Sequence, residues 1–163
     1  MGLLTADDPT DTAIAWLFVG VQFALLVVIL LLPPGDAWPV PAWLDLVARI
    51  LQWLGAAILL VGIVNLGRSL TPLPTPVPHG ELRTSGLFRL VRHPIYTGVM
   101  ALALGTALRL ANPWAMVAAL ALVAWFMAKA RWEERHLAAR YPGYAAYAAT
   151  TPRFVPFLPP PRR

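Results

Sequence analysis

The segment Arg92-His93-Pro94-Ile95-Tyr96-Thr97-Gly98 sets a guanidinium, an imidazole, a phenol and a hydroxyl at the head of a long apolar run. Proline is favoured at the first position of a helix, where its missing N–H costs nothing, so Pro94 predicts a helix start. The N–H groups of Ile95, Tyr96 and Thr97 then lack partners and point back toward Arg92 and His93. Such an end attracts anions, and Arg92 adds a full positive charge. Further along stand an adjacent carboxylate pair, Glu133 and Glu134, a tyrosine series at Tyr141, Tyr144 and Tyr147, and Arg153. N–H donors on one wall and carboxylates on the other suit a ligand that carries charges of both signs.

The elements that must position these groups are membrane helices. Of 163 residues, 58% are hydrophobic and 13% charged, against roughly 45–50% and about 25% in soluble domains. An all-α integral membrane protein is expected, one domain over residues 1–163, with spans at about residues 12–32, 42–66, 94–110 and 113–130. Each approaches the roughly 20 residues that cross a bilayer core. The first run lacks a preceding basic residue and a cleavage pattern, so it reads as an uncleaved span. Alternating prolines from Thr71 to Pro78 exclude regular helix and predict a cytosolic loop. The fourth helix meets no breaker before Pro142-Gly143, which predicts a charged extension beyond the membrane carrying Lys129, Arg131, Glu133, Glu134, Arg135, His136 and Arg140.

All of the thirteen Lys and Arg residues except Arg49 and Arg109 fall on one side of this arrangement. Positive charge marks the cytoplasmic side, so both termini are expected in the cytoplasm of a bacterial-type inner or plasma membrane. The net charge of +5 is explained by lipid headgroups and topology, and no nucleic-acid partner is expected. Cysteine is absent and the histidines His79, His93 and His136 do not cluster with carboxylates, so no metal is expected.

Antiparallel third and fourth spans bring residues 92–98 and 129–135 to one membrane surface, with Glu133 and Glu134 facing the helix start. Plainer readings exist for each group. Lys129 and Glu133, four apart, suit a surface salt bridge worth ~0.3 kcal/mol. The tyrosines suit an interfacial belt as well as a substrate wall, and Arg153 suits a membrane anchor. Gln22 and Asn65, polar within spans, suit bonds to neighbouring helices.

Leu66-Gly67-Arg68-Ser69, the Pro-rich loop, Leu82-Arg83-Thr84-Ser85-Gly86, the segment Arg92 to Gly98, Glu133-Glu134 and the stretch Tyr144 to Phe157 together resemble the isoprenylcysteine carboxyl methyltransferase family. The phospholipid N-methyltransferases share the same general plan. The likeness runs over about residues 60–158. It implies S-adenosylmethionine as cofactor, bound at the cytosolic ends of the last two spans, and a lipophilic methyl acceptor entering from the bilayer. On this reading Arg92, His93, Pro94, Tyr96, Gly98, Glu133 and Glu134 form the cofactor site. Tyr144, Tyr147 and Arg153 face the acceptor, with Arg153 and Glu133 as catalytic residues. Arg153 would grip a carboxylate acceptor bidentately. An amine acceptor would need a base, from Glu133, Glu134 or His93.

The acceptor stays open between a prenylcysteine-type carboxylate, a lipid headgroup and a small hydrophobic molecule, as does oligomeric state. Two other readings compete: a small membrane reductase of the sterol-reductase type, and a non-enzymatic membrane scaffold or lipid-binding subunit.

Overall fold

A computed structural model describes residues 9–67 and 82–158. The predicted Pro-rich loop and His79 lie outside these residues. The described chain is helical: α1 (Pro9–Leu31), α2 (Ala42–Leu66), a 3-10 turn (Gly86–Arg89), α3 (Pro94–Leu110), α4 (Pro113–Arg140) and α5 (Tyr144–Thr150). α1, α2 and α4 are long and apolar enough to cross a membrane. α3 has 17 residues, about 25 Å of helix at 1.5 Å per residue, the short end of the spanning range. Large apolar side chains such as Leu17, Phe23 and Leu30 on α1, and Ile50, Trp53 and Val64 on α2, stay exposed. In an integral membrane protein such faces meet lipid.

The helices alternate in direction, and the ends away from the motif are stitched by backbone bonds. Gly35 N–H donates to Leu110 O at 2.7 Å and Ala37 N–H to Ala111 O at 3.0 Å, so the α1–α2 link satisfies the last carbonyls of α3. Asn112 caps α4, its side chain accepting from Trp114 and Ala115 N–H at 2.9 and 3.3 Å and donating to Pro33 O at 2.9 Å. Arg49 and Arg109 at this end both pair with Asp45, at 2.6 and 2.8 Å.

α3 lies closest to α2. A Cβ on Gly55 would sit 2.7 Å from Gly98 O, and one on Gly98 would sit 2.7 Å from Gly55 O and Leu59 N. Small residues allow such backbone approach, which substitutes dispersion contact for the hydrophobic effect that lipid removes. α1, α3 and α4 share a core of Ile29, Met100, Ala103, Ala107, Ala115, Ala118, Ala119, Leu122 and Phe126. Nearer the motif, Ala15 and Phe18 of α1 pack on Trp132 of α4.

Candidate active site

Pro94 occupies the first turn of α3 and His93 its cap position, as the sequence predicts. The 3-10 turn carries the chain to this point. Gly86, at φ +61°, lies so close to Asn65 on α2 that a Cβ would come within 2.5 Å of Nδ2. Residues 151–158 then return as a strap over the helix start. Arg92 N–H donates to Pro152 O at 2.9 Å, His93 N–H to Arg153 O at 3.1 Å, and Thr97 Oγ1 to Phe154 O at 2.9 Å. One expectation is corrected here. Thr97 N–H is not open to an anion, because it donates to His93 O at 3.0 Å and closes the first helical turn.

Glu134 is the hub. Only 7% exposed, it accepts from Arg153 through Nε at 2.9 Å and Nη2 at 2.6 Å, and its Oε1 lies 3.1 Å from His93 Nε2. Arg92 Nε stands 3.2 Å from the same oxygen. Burial opposes the charge on Glu134, but hydrogen bonds from Arg153 and His93 and the charges of His93 and Arg92 outweigh it and hold the carboxyl down at about 2. The reciprocal hydrogen bond raises Arg153 above the ordinary guanidinium value.

Glu133 has a different environment. Its Oε2 accepts from Tyr96 OH at 2.7 Å and lies 3.7 Å from His93 Nδ1. His93 therefore stands between two carboxylates, one at each ring nitrogen. Its ring stacks on Tyr96 at 5.2 Å, and Tyr96 stacks on Phe126 at 4.7 Å.

α5 closes the cluster. Arg92 Nη1 donates to Ala148 O at 2.9 Å, and Tyr147 OH donates to Phe88 O. Tyr144 is 1% exposed, so it belongs to the interior and not to an interfacial belt. Burial raises its phenol first, with the Glu134 charge adding, and burial pushes Tyr147 up to about 12. Among the described residues, Arg92 Nε and Tyr144 Oη are buried without a hydrogen bond, the former being in ion-pair range of Glu134 but poorly aligned. A half-open groove of about 320 Å³ is lined by Arg89, Leu90, Thr150 and the strap residues Pro152, Pro156, Phe157 and Leu158, none of them a member of the cluster.

The structure thus brings together Arg92, His93, Tyr96, Glu133, Glu134, Tyr144, Tyr147 and Arg153. Pro94 is buried behind them, and Gly98 faces α2, where the close helix contact accounts for glycine. Arg153 makes its bidentate grip on Glu134. Lys129 departs from the surface-pair reading: it is 1% exposed and donates to Gln22 Oε1 on α1 at 2.6 Å. His136 bonds Asp11 of α1 at 3.1 Å, joining helices outside the cluster. The sequence signal for Lys129 was its place in the last apolar turn of the fourth span, where a cation needs partners.

The model of the phospholipid methyltransferase family matches residues 44–143. This chain belongs to that family. It is 34% identical to protein-S-isoprenylcysteine O-methyltransferase B of Arabidopsis thaliana over 110 residues, which is 64% of this chain and 55% of the relative. Its identity to protein-S-isoprenylcysteine O-methyltransferase A of the same plant is 34% over 121 residues, 71% of this chain and 61% of the relative. A solved structure of the eukaryotic intramembrane Ras methyltransferase, isoprenylcysteine carboxyl methyltransferase, superposes with a TM-score of 0.64 at 20% identity, covering 94% of this chain and 55% of that one. That likeness is one of fold. The chain spans 55% to 61% of the length of these two curated relatives. The family segment contains the Arg92–Gly98 motif and both glutamates, while α1 and the strap lie outside it.

Proposed function

We propose that this family member is an S-adenosylmethionine-dependent methyltransferase acting on a lipophilic acceptor at the cytosolic face of the membrane. The observation that carries the reading is the single cluster of Arg92, His93, Tyr96, Glu133, Glu134 and Arg153, built where α3 begins and α4 leaves its apolar portion. Groups of both charge signs, with the buried Tyr144 hydroxyl lacking a hydrogen bond among the described residues, fit a cofactor bearing a carboxylate, an ammonium and ribose hydroxyls. Arg92 and His93 would hold the carboxylate, and Glu133 would accept from the ammonium or a hydroxyl. When bound, the cofactor supplies a sulfonium methyl whose transfer releases a neutral thioether.

The chain's contribution is accordingly alignment more than acid–base chemistry. Stacking of His93 on Tyr96 and the Tyr96–Glu133 bond fix the side chains that would define the cofactor's place. Tyr144 and Tyr147 wall the side toward α5. A carboxylate acceptor of the prenylcysteine type, which the names of the relatives favour, would meet Arg153 at the edge not held by Glu134. An amine acceptor would give its proton to Glu133 or His93. Four spans with both termini in the cytoplasm of a bacterial-type inner or plasma membrane complete the reading. α3 is then the shortest of the crossings, and the groove along the strap offers an amphiphile an apolar wall with Arg89 at its edge.

The test is calorimetric binding of S-adenosylhomocysteine to the detergent-purified chain. Saturable binding is expected, weakened about ten-fold or more in His93→Ala and Glu133→Ala, from loss of a charge-assisted hydrogen bond. Unchanged affinity in both variants refutes the site. Binding of NADPH in place of the methyl-donor analogue supports the reductase reading, and binding of neither supports the scaffold. Methyl-labelled cofactor added to membranes, followed by mass spectrometry of the extracted lipids, identifies the acceptor.

A further inference from the structure

α1 lies outside the segment matched to the family, yet it reaches to the edge of the cluster through the side chain of Gln22. Lys129 stands in the last apolar turn of α4, 1% exposed. A desolvated ammonium at that depth is costly unless its donors are met. Gln22, one helix away, supplies an acceptor at 2.6 Å. The ammonium also lies 5.2 Å from the centre of the Tyr96 ring, within range of cation–π attraction. Tyr96 is the side chain whose hydroxyl holds Glu133 at 2.7 Å and whose face stacks on His93. Lys129 and Glu133 are also one helical turn apart on α4.

From this chain of contacts we infer that Gln22 and Lys129 are positioning residues of the site: α1, by fixing the ammonium, sets the orientation of Tyr96 and through it that of Glu133 and His93. The inference rests on the methyltransferase reading for its binding consequence but not for its structural one. Ordinary interhelical bonding predicts otherwise. If Gln22–Lys129 only held α1 against α4, it would be equivalent to the bond from Trp125 Nε1 to Phe18 O, 3.1 Å, which joins the same two helices without involving Lys129.

The experiment compares Gln22→Leu, Gln22→Glu and Trp125→Phe in the full chain, with S-adenosylhomocysteine calorimetry and with the ¹⁹F resonance of 3-fluorotyrosine at position 96. Gln22→Leu is expected to weaken binding about ten-fold, as for a lost hydrogen bond to a charged group, and to shift the fluorine resonance. Gln22→Glu, which keeps an oxygen toward the ammonium, restores affinity to within about two-fold. Trp125→Phe lowers the melting temperature but leaves affinity and resonance where they were. Equal affinities and resonances in Gln22→Leu and the unaltered chain overturn the inference, as does an equal effect from Trp125→Phe. If the unaltered chain binds no S-adenosylhomocysteine, the cofactor reading fails separately, and the fluorine comparison still decides the role of Gln22.

Discussion

Replacing Glu134 with Gln removes the negative charge around which Arg92, His93 and Arg153 are gathered, and the cost can be worked from the carboxyl itself. Its ionisation is held at about 2 against an ordinary 4.5. At 1.36 kcal/mol per unit, the native contacts favour the charged form by about 3 kcal/mol. The residue is only 7% exposed, so solvent screening takes little from this figure. Removing one partner of a buried pair costs about 3–5 kcal/mol for the same reason, because the remaining charges stay desolvated. For a chain of this size 1 kcal/mol corresponds to roughly 2–4 °C, so Glu134→Gln should melt about 6–12 °C lower at neutral pH. The sign with pH is fixed by linkage: a carboxyl whose native value is depressed contributes its stability above the unfolded value and loses it as pH falls toward the native one. The melting temperature of the unaltered protein should therefore drop between about pH 5 and pH 2, and the gap to Glu134→Gln should close over that window. Scanning fluorimetry in detergent across this range reads both effects. A variant melting within about 2 °C of the unaltered chain at pH 7, or a gap that persists at pH 2, would refute the hub assignment.

Two further changes test the frame that holds the cluster. Gly98→Val should disrupt the close α2–α3 contact, since its Cβ meets backbone atoms at 2.7 Å on α2; a loss of about 1–3 kcal/mol is expected, read as a lowered melting temperature in detergent, and a normally melting Gly98→Val would contradict the packing. Asn112→Ala removes two accepted N–H bonds and the bond to Pro33 O, lowering stability by about 1–2 kcal/mol; because it acts at the opposite end of the bundle, affinity for S-adenosylhomocysteine should not change, and a parallel loss of affinity would show the two ends to be coupled.

The parts of this molecule that sequence made legible are those fixed locally. Pro94 after Arg92-His93 announces a helix start from the chemistry of proline alone, and Asn112-Pro113 announces the next. Apolar run length gave the four main helices, because lipid demands length and removes alternatives. What was not legible depends on rotation about helix axes and on partners far away in the chain. Glu133 and Glu134 are adjacent, and nothing in their spacing tells which one turns inward. Four-residue spacing alone marks Lys129 as a surface partner of Glu133, because Gln22, an acceptor it meets in the interior, is 107 residues away. Arg153 looked available to a ligand because its bond to Glu134 appears only once the strap is folded back over α3.

The division between the two glutamates follows from their surroundings and bears on which one meets a ligand. Glu134 offers both oxygens to Arg153 and one of them also to His93, with Arg92 alongside; its side chain is 8% exposed. A ligand could approach it only by displacing those partners, each of which would be left desolvated. Glu133, its side chain 24% exposed, takes one hydrogen bond among the described residues, from the Tyr96 hydroxyl, on one oxygen. A donor that reached its second oxygen would leave the Tyr96 bond in place. The pair therefore stands in two layers: Glu134 gathers the cations of the α3 start and the strap, and Glu133, bonded to Tyr96, is the more exposed carboxylate of the two. Two adjacent positions on one helix achieve this because they point about 100° apart, one into the strap and one toward the edge of the cluster.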